Sequence, residues 1–336
     1  MKIQEQELNN NILDQSMDSI ACENIDRVMN IEMRGPGTLP RGIKWNMYQM
    51  ARRITDVPLT QAAALLLYLE SPKRILIVSG AAVPQHMPVG ENDGPLGSVV
   101  LARSLTALGH KVSILTDTMA AMPFKELIRA CDIDVEVIEI SVNDSELQYH
   151  IAEDNDVFCA IERLGGNTSG IIYGATGVSR APFRANVDLL FNYARKLGKT
   201  TIGIADGGNE IGCGNIHQRL CSELPDYSFS DVTPCGGGVY SVVETDLLVI
   251  SSTSNMGAYA ITAGLALLYN NLSLCHTAKE ETALTYIGVG LGLIDGGSGK
   301  LRPWCDGVPL VGNCAMIEMM HTIVAQSLGE PNVRDF

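Results

Sequence analysis

The chain has 336 residues, enough for one large domain or two small ones, and 46% of its residues are hydrophobic, which supports a sizeable core. Its formal net charge of −14 argues against a nucleic-acid partner, because binding to a phosphate backbone depends on clustered Lys and Arg. The N-terminus has no apolar signal region and is too acidic for a transit peptide, and no apolar stretch approaches the about 20 residues of a membrane span. We therefore predict a cytoplasmic protein without a nucleic-acid or membrane partner.

The cysteines and histidines exclude several classes of site. None of the nine cysteines lies in a C-x-x-C pair, and the closest group, Cys213, Cys221 and Cys235, fits no zinc-binding spacing. None of the six histidines lies in a Ser-His-Asp or H-E-x-x-H context, so a hydrolase triad and a zinc protease are disfavoured. We interpret the cysteines as buried thiols of a reducing compartment.

Residues 1–70 differ from the rest of the chain. Residues 20–31 have helical spacing, Gly35-Pro36-Gly37 interrupts the pattern, and residues 60–70 form a second apolar helical stretch. We predict a helical N-terminal extension that packs on the main domain or on a partner subunit. No catalytic pattern stands out in it, and its apolar character favours a homodimer.

From residue 74 onward, short apolar runs alternate with helical stretches. The predicted strands are residues 74–80, 111–117, 135–140, 157–161, 200–205 and 247–251, and the clearest helices are residues 97–108, 186–197 and 255–268. Such alternation implies right-handed crossovers. We predict an α/β catalytic domain over residues 71–336, with a doubly wound, mostly parallel sheet and helices on both faces.

Ligands of such sheets bind beyond the carboxyl ends of the strands, and four unusual loops lie there. The first loop contains Asp93, Gly94 and Gly97, which we predict to bind substrate. Its glycines allow a close approach of the backbone, and the following helix start can offer free amides to an anion. The loop has neither a Walker nor a G-x-G-x-x-G pattern, and an ordinary turn with an N-cap is the alternative.

The second loop follows the fourth strand and contains Glu162, Arg163 and Asn167, also predicted to bind substrate. Arg163 can clamp a carboxylate with two hydrogen bonds. The alternative is a Glu-Arg ion pair that only fixes the loop.

The third loop, residues 206–215, follows the fifth strand and has the sharpest pattern. Asp206, Asn209 and Glu210 lie among glycines, and we predict all three to be catalytic. Asp206 and Glu210 can supply an acid/base pair, or oxygen ligands for a divalent cation such as Mg²⁺ or Mn²⁺; no other cofactor is implied. The alternative is a glycine-rich turn in which Asp206 caps a helix.

The fourth loop follows the sixth strand and contains Ser254, Asn255 and Tyr259. Their hydroxyls and amide can bind a substrate carboxylate at a helix start, although simple capping of that helix explains Ser254 or Asn255 equally well. The Asp-Gly turns at Asp295 and Asp306 are interpreted as structural.

Together these loops resemble one known family. The run Asp206-Gly207-Gly208-Asn209-Glu210-Ile211-Gly212, the run Gly94-Pro95-Leu96-Gly97, the pair Glu162-Arg163 and the group around Ser254-Asn255 are similar, in this order, to motifs of the D-glutamate cyclase-like C-terminal domain family. The likeness covers about residues 70–325. It implies a lyase that condenses D-glutamate, or a related amino diacid, to 5-oxo-D-proline with loss of water.

For that reaction, Glu210 or Asp206 is expected to act as the base, and Arg163 with the first helix start to hold the α-carboxylate. Two alternatives stay open at this point: another hydro-lyase or condensation reaction on a small carboxylic acid, and a non-catalytic module that binds a small anion or a nucleotide. Two carboxylates together at a strand end favour an enzyme over the module.

Overall fold

The computed structural model describes residues 18–37, 39–142, 144–330 and 334. Six parallel strands form one sheet in the order β3-β2-β1-β4-β5-β6. The strands are β1 Arg74–Val78, β2 Lys111–Asp117, β3 Glu136–Ile140, β4 Val157–Ile161, β5 Thr200–Ala205 and β6 Leu247–Ile250. All six predicted strands are confirmed, because short, nearly continuous apolar runs are typical of buried strands in a parallel sheet.

Eleven α-helices lie in the described part of the chain. They are α1 Ser19–Met29, α2 Ile43–Arg52, α3 Leu59–Leu66, α4 Pro95–Ala107, α5 Ala121–Ala130, α6 Ser145–Asp154, α7 Asp188–Lys196, α8 His217–Glu223, α9 Ser254–Leu268, α10 Ala278–Gly290 and α11 Leu310–Ser327. A short antiparallel hairpin, β7 Trp304–Cys305 with β8 Val308–Pro309, precedes α11. The predicted helices correspond to α1, α3, α4, α7 and α9.

Both faces of the sheet are buried, as predicted for a doubly wound fold. Ile75 and Ile77 belong to the larger core, whereas Leu76 and Val78 belong to the smaller one, because successive strand residues point to opposite faces. The larger core contains residues of α1, α2, α3, α4, α5, α9 and α11, and the smaller core contains residues of α6 and α7.

The predicted N-terminal extension packs on the main domain. Ile25, Met47 and Leu59 are fully buried in the larger core, and α3 contacts α9. The buried carboxylate of Asp26 ties the segment together, because it accepts hydrogen bonds from the amides of Leu59 and Thr60 and from the Thr60 hydroxyl. The domain boundary near residue 70 and the homodimer stay predictions.

The strand order brings the loops after β1 and β4 together. Strand β1 lies between β2 and β4, so the order of the strands reverses beside β1, where ligands of such sheets bind. Gly94, with φ +95°, lies so close that a Cβ there would be 2.8 Å from Ser79 Oγ and 3.0 Å from Glu162 Cβ. The first loop therefore needs glycine at this position. Among the described residues, no helix is long and apolar enough to cross a membrane.

Replacing Gly94 tests this close approach. We expect Gly94→Ala to lower the free energy of unfolding by at least about 3 kcal/mol, because a positive φ and a steric clash add together. Gly198→Ala is the matched control: Gly198 has φ +70° but no atom within 4 Å of the added Cβ. It should cost only about 1–2 kcal/mol in urea unfolding. Equal losses in the two variants would contradict the close approach.

Candidate active site

A buried lysine lies at the centre of the site. Lys44 of α2 donates hydrogen bonds to Asp206 Oδ2 at 2.5 Å, to the carbonyl oxygen of Ser252 at 2.8 Å and to Asp306 Oδ2. These three acceptors use all three N–H groups of the ammonium. Burial alone would lower the pKa of Lys44, but the charges of Asp206 and Asp306 outweigh it and raise the pKa, so the ammonium stays protonated.

Beside Lys44 lies a cavity of about 460 Å³ with charged walls of both signs. Carboxylates and guanidinium groups line it together with Lys44: Glu91, Glu162, Asp206, Asp306, Arg34, Arg180, Arg184 and Arg302. The cavity can therefore receive a small molecule that carries both a cationic and an anionic group.

Three carboxylates converge at the carboxyl ends of three strands. Asp93 precedes α4 in the loop after β1, Glu162 follows β4, and Asp206 follows β5. One oxygen from each of the three lies within 4.8 Å of the others. Ser254, from the loop after β6, donates a hydrogen bond of 2.6 Å to Glu162 Oε2. The structure thus brings residues of all four predicted loops together.

The backbone conformation and the pKa of Glu162 are both unusual. Its φ of +51° places a non-glycine residue in the left-handed region, a strain that is uncommon outside functional sites. Burial, reinforced by the charges of Asp206 and Glu210, raises the pKa of Glu162 well above its ordinary value. Burial among these carboxylates therefore favours the protonated form of the Glu162 carboxyl.

Neighbouring carboxyl groups respond to the same burial. Burial and then the charge of Asp306 raise the pKa of Asp93 to about 6 and that of Glu91 to about 8. Burial acts on Asp306 in the same direction, but the charge of Lys44 outweighs it, and the pKa of Asp306 is lowered. The protonated form of Glu91 is thus favoured at neutral pH, while Asp306 stays ionised beside the ammonium of Lys44.

Glu210 is turned away from the cavity. Its Oε1 accepts hydrogen bonds from the amides of Asp206 at 3.0 Å and Gly207 at 2.7 Å, and the side chain is buried. Glu210 therefore holds the shape of the turn. The predicted metal pair of Asp206 and Glu210 is replaced in the structure by Asp206 with Asp93 and Glu162. Asn209 does line the cavity, and its amide donates to the carbonyl of Tyr173.

The two helix starts predicted to bind an anion cap each other instead. Asn255 Oδ1 accepts hydrogen bonds from the amides of Gly94 at 2.9 Å and Gly97 at 2.7 Å. In return, Asp93 accepts from the amides of Ser254 at 3.0 Å and Asn255 at 2.7 Å. These amides are occupied, so the structure assigns them to capping rather than to a substrate.

Arg163, Asn167 and Tyr259 do not line the cavity. Arg163 is buried, forms an ion pair with Asp117 and donates to the carbonyl of Ala185 at 2.7 Å. The Asn167 amide donates to the Gly238 carbonyl at 2.7 Å, and the Tyr259 hydroxyl to Glu281 Oε2 at 2.7 Å. The alternative that Arg163 only fixes its loop agrees with this placement, with Asp117 rather than Glu162 as the partner.

Several residues of the cavity carried no sequence signal. Lys44 lies in the predicted extension, and its partners Asp206 and Asp306 are 162 and 262 positions away along the chain. The turn at Asp306 had been interpreted as purely structural. Arg180 and Arg184 follow the second loop, and no pattern in the sequence marked them as candidates.

Comparison with known proteins shows the family of the chain. The family model described as D-glutamate cyclase-like, C-terminal, matches residues 41–321. The chain belongs to this family. The match includes Lys44 of the predicted extension as well as Asp306 near the hairpin.

One curated member named in the comparison is human "D-glutamate cyclase, mitochondrial", which is 28% identical over 221 residues, or 61% of this chain. The chain spans only 34% of the length of that relative. Among solved structures, a crystal structure of an actinorhodin polyketide ketoreductase with NADPH aligns over 75% of this chain and 90% of its own, at 12% identity and a TM-score of 0.28. A score this low does not establish a shared fold.

Removing the central ammonium should destabilise the protein strongly. We expect Lys44→Met to cost about 3–5 kcal/mol in urea unfolding, because the buried carboxylate of Asp206 and the half-buried carboxylate of Asp306 lose their counter-charge. Lys125→Met is the control, since Lys125 forms only an exposed ion pair with Glu139; it should change stability by less than about 1 kcal/mol. A Lys44→Met protein as stable as the control would contradict the buried cluster.

Glu91 should make stability depend on pH. Its pKa is about 8 in the folded protein against an ordinary 4.5, so the unfolded chain releases the proton first as pH rises. The wild type should therefore lose stability relative to Glu91→Gln between these two values, with no further change above pH 8. Urea unfolding of both proteins across that range measures the difference, and a constant difference would rule out the raised pKa.

Proposed function

We propose that this protein is a lyase that condenses glutamate, or a related amino diacid, to a 5-oxoproline-type lactam with loss of water. Family membership supports this proposal, and one structural observation carries it. Glu162, whose pKa is raised by burial, lies in the same cluster as Asp206 on the wall of a cavity with both acidic and basic groups.

The proton balance of the reaction suits such a cluster. Glutamate enters with an ammonium group and two carboxylates, and the lactam leaves with one carboxylate and a neutral amide. The nitrogen loses two protons, and the departing γ-carboxylate oxygen gains two and leaves as water. No net proton is consumed, so the protein has only to accept protons beside the nitrogen and donate them beside the oxygen.

We assign these two tasks to Glu162 and Asp206. Glu162, held protonated by burial, donates to the departing oxygen, and its proton is replaced from the substrate nitrogen through Asp206. Burial raises the pKa of Asp206 although the charge of Lys44 opposes the rise, which makes Asp206 a stronger base for the amine proton while Lys44 fixes one of its oxygens. Because oxygens of the two carboxyl groups lie within 4.8 Å of each other, both reacting groups of one substrate can reach them.

A divalent cation also fits the donor set. Three carboxylates whose oxygens lie within 4.8 Å of one another are the ligands that Mg²⁺ or Mn²⁺ prefers, and Asp93, Glu162 and Asp206 would hold it. When bound, such an ion would polarise the γ-carboxylate. It would also compete with the proton on Glu162, so its affinity should rise with pH.

Direct incubation tests the proposal. The protein is incubated with D-glutamate and with L-glutamate, each with EDTA, Mg²⁺ or Mn²⁺, and mass spectrometry detects a product lighter by one water. We expect Glu162→Gln and Asp206→Asn each to lower turnover by at least about 100-fold, because each removes a proton-transfer group. Turnover should also fall as pH rises through the raised pKa of Glu162, since the protonated form donates.

Glu318→Gln on the exposed side of α11 is the matched control and should turn over like wild type. Failure of the wild type to release water from either enantiomer under all three conditions would refute the cyclase. Tight nucleotide binding without a product would favour the non-catalytic module instead.

A further inference from the structure

We propose that Arg180 and Arg184 form a carboxylate-binding subsite that holds the α-carboxylate of the substrate, the group that takes no part in the reaction. This inference rests on the proposed function for the identity of the substrate. The anion site itself rests on the geometry of the two arginines.

Arg184 is a buried cation without an ion-pair partner. Its side chain is only 4% exposed, yet it lines the cavity. Its Nε donates to the carbonyl of Ala82 at 3.0 Å, while its terminal nitrogens make no hydrogen bond or ion pair with any described residue. Burial lowers the pKa of Arg184 to about 10, which reflects the cost of this placement. An anion that enters the cavity would supply the missing counter-charge.

Arg180 lies one turn before Arg184. The amide of Arg184 donates to the carbonyl of Arg180 at 3.0 Å, a turn that places residues four apart on the same side. The Arg180 guanidinium lies against the backbone of Gly174, where an added Cβ would be 2.4 Å from Arg180 Nη2. Glycine at 174 thus makes room for this guanidinium at the cavity wall.

The other arginines near the site are already neutralised. Arg34 pairs with Glu32, Arg302 with Asp295, and Arg163 with Asp117. Among the described residues, Arg180 and Arg184 are the cavity-lining arginines that form no ion pair. Glu91 faces them, but with a pKa of about 8 it is largely protonated at neutral pH and does not cancel their charge.

The chemistry then selects which substrate group they bind. Both reacting groups, the amine and the γ-carboxylate, must lie beside the proton-transfer pair of Glu162 and Asp206. Only the α-carboxylate remains for the two guanidinium groups, whose planar donors match it. Arg180 and Arg184 thus take the place that the sequence had given to Arg163.

Glutarate tests the subsite without any reaction, because it has both carboxylates but no amine. Titration calorimetry should show that wild-type protein binds glutarate and that Arg184→Met and Arg180→Met bind it at least about 30-fold more weakly. Arg184→Lys should fall between, since it keeps the charge and loses the planar fork. Arg129→Met, on an exposed side chain of α5, should bind like wild type.

Thermal unfolding separates this role from a structural one. Arg184→Met should be close to wild type in stability without ligand, because removal of an unpaired buried charge offsets the lost hydrogen bond to the Ala82 carbonyl. Unchanged glutarate affinity in Arg184→Met, or no glutarate binding by wild type, overturns the subsite. A strong loss of stability in Arg184→Met also overturns it, because that result would mean that the guanidinium has a structural partner beyond the Ala82 carbonyl.

The two proposals can fail separately. If the wild type releases water from glutamate but its KM does not depend on Arg184, the subsite is wrong and the cyclase stands. If glutarate binding depends on Arg184 but no glutamate is converted, the anion subsite stands and the cyclase is refuted.

Discussion

The contact on which the site depends is the buried ammonium of Lys44. It joins α2 to the end of β5 through Asp206, to the segment after β6 through the Ser252 carbonyl, and to the hairpin region through Asp306. Without this positive charge, the carboxylates at the strand ends would repel each other in a water-poor setting. The sheet supplies the positions of the acidic groups, and Lys44 allows them to be buried together.

The cavity contains groups of both signs whose burial is costly to the fold. Burial raises the pKa of Glu162, and Arg184 is buried without an ion pair to any described residue. Protein interiors rarely keep such groups unless they serve binding or catalysis, and perturbed acids and bases concentrate at functional sites. An amino diacid has the complementary groups: its ammonium can lie beside the carboxyl groups of the cavity, and a carboxylate can bind the guanidinium groups.

Features that depend on residues close together along the chain could be predicted from the sequence, whereas contacts between distant segments could not. Strands such as Val157–Ile161 are short buried runs, and loops with Gly94 or Asp206 stand out at their ends, so the sheet and three converging carboxylates could be placed. The place of Lys44 in the site could not be predicted, because only the folded chain brings it next to Asp306. The ion pair of Arg163 could not be predicted either, because its partner Asp117 ends a strand two places away in the sheet, where no spacing along the chain reveals it.

The central claim is that burial beside the other carboxylates raises the pKa of the Glu162 carboxyl well above its ordinary value. Carbon-13 NMR of protein labelled at glutamate side-chain carboxyls measures this directly, with the Glu162 signal assigned by its absence in Glu162→Gln. The account predicts a signal with the chemical shift of a neutral carboxyl group at neutral pH, titrating well above the ordinary range. A Glu162 signal that is already ionised there and titrates near its ordinary pKa of 4.5 would contradict it.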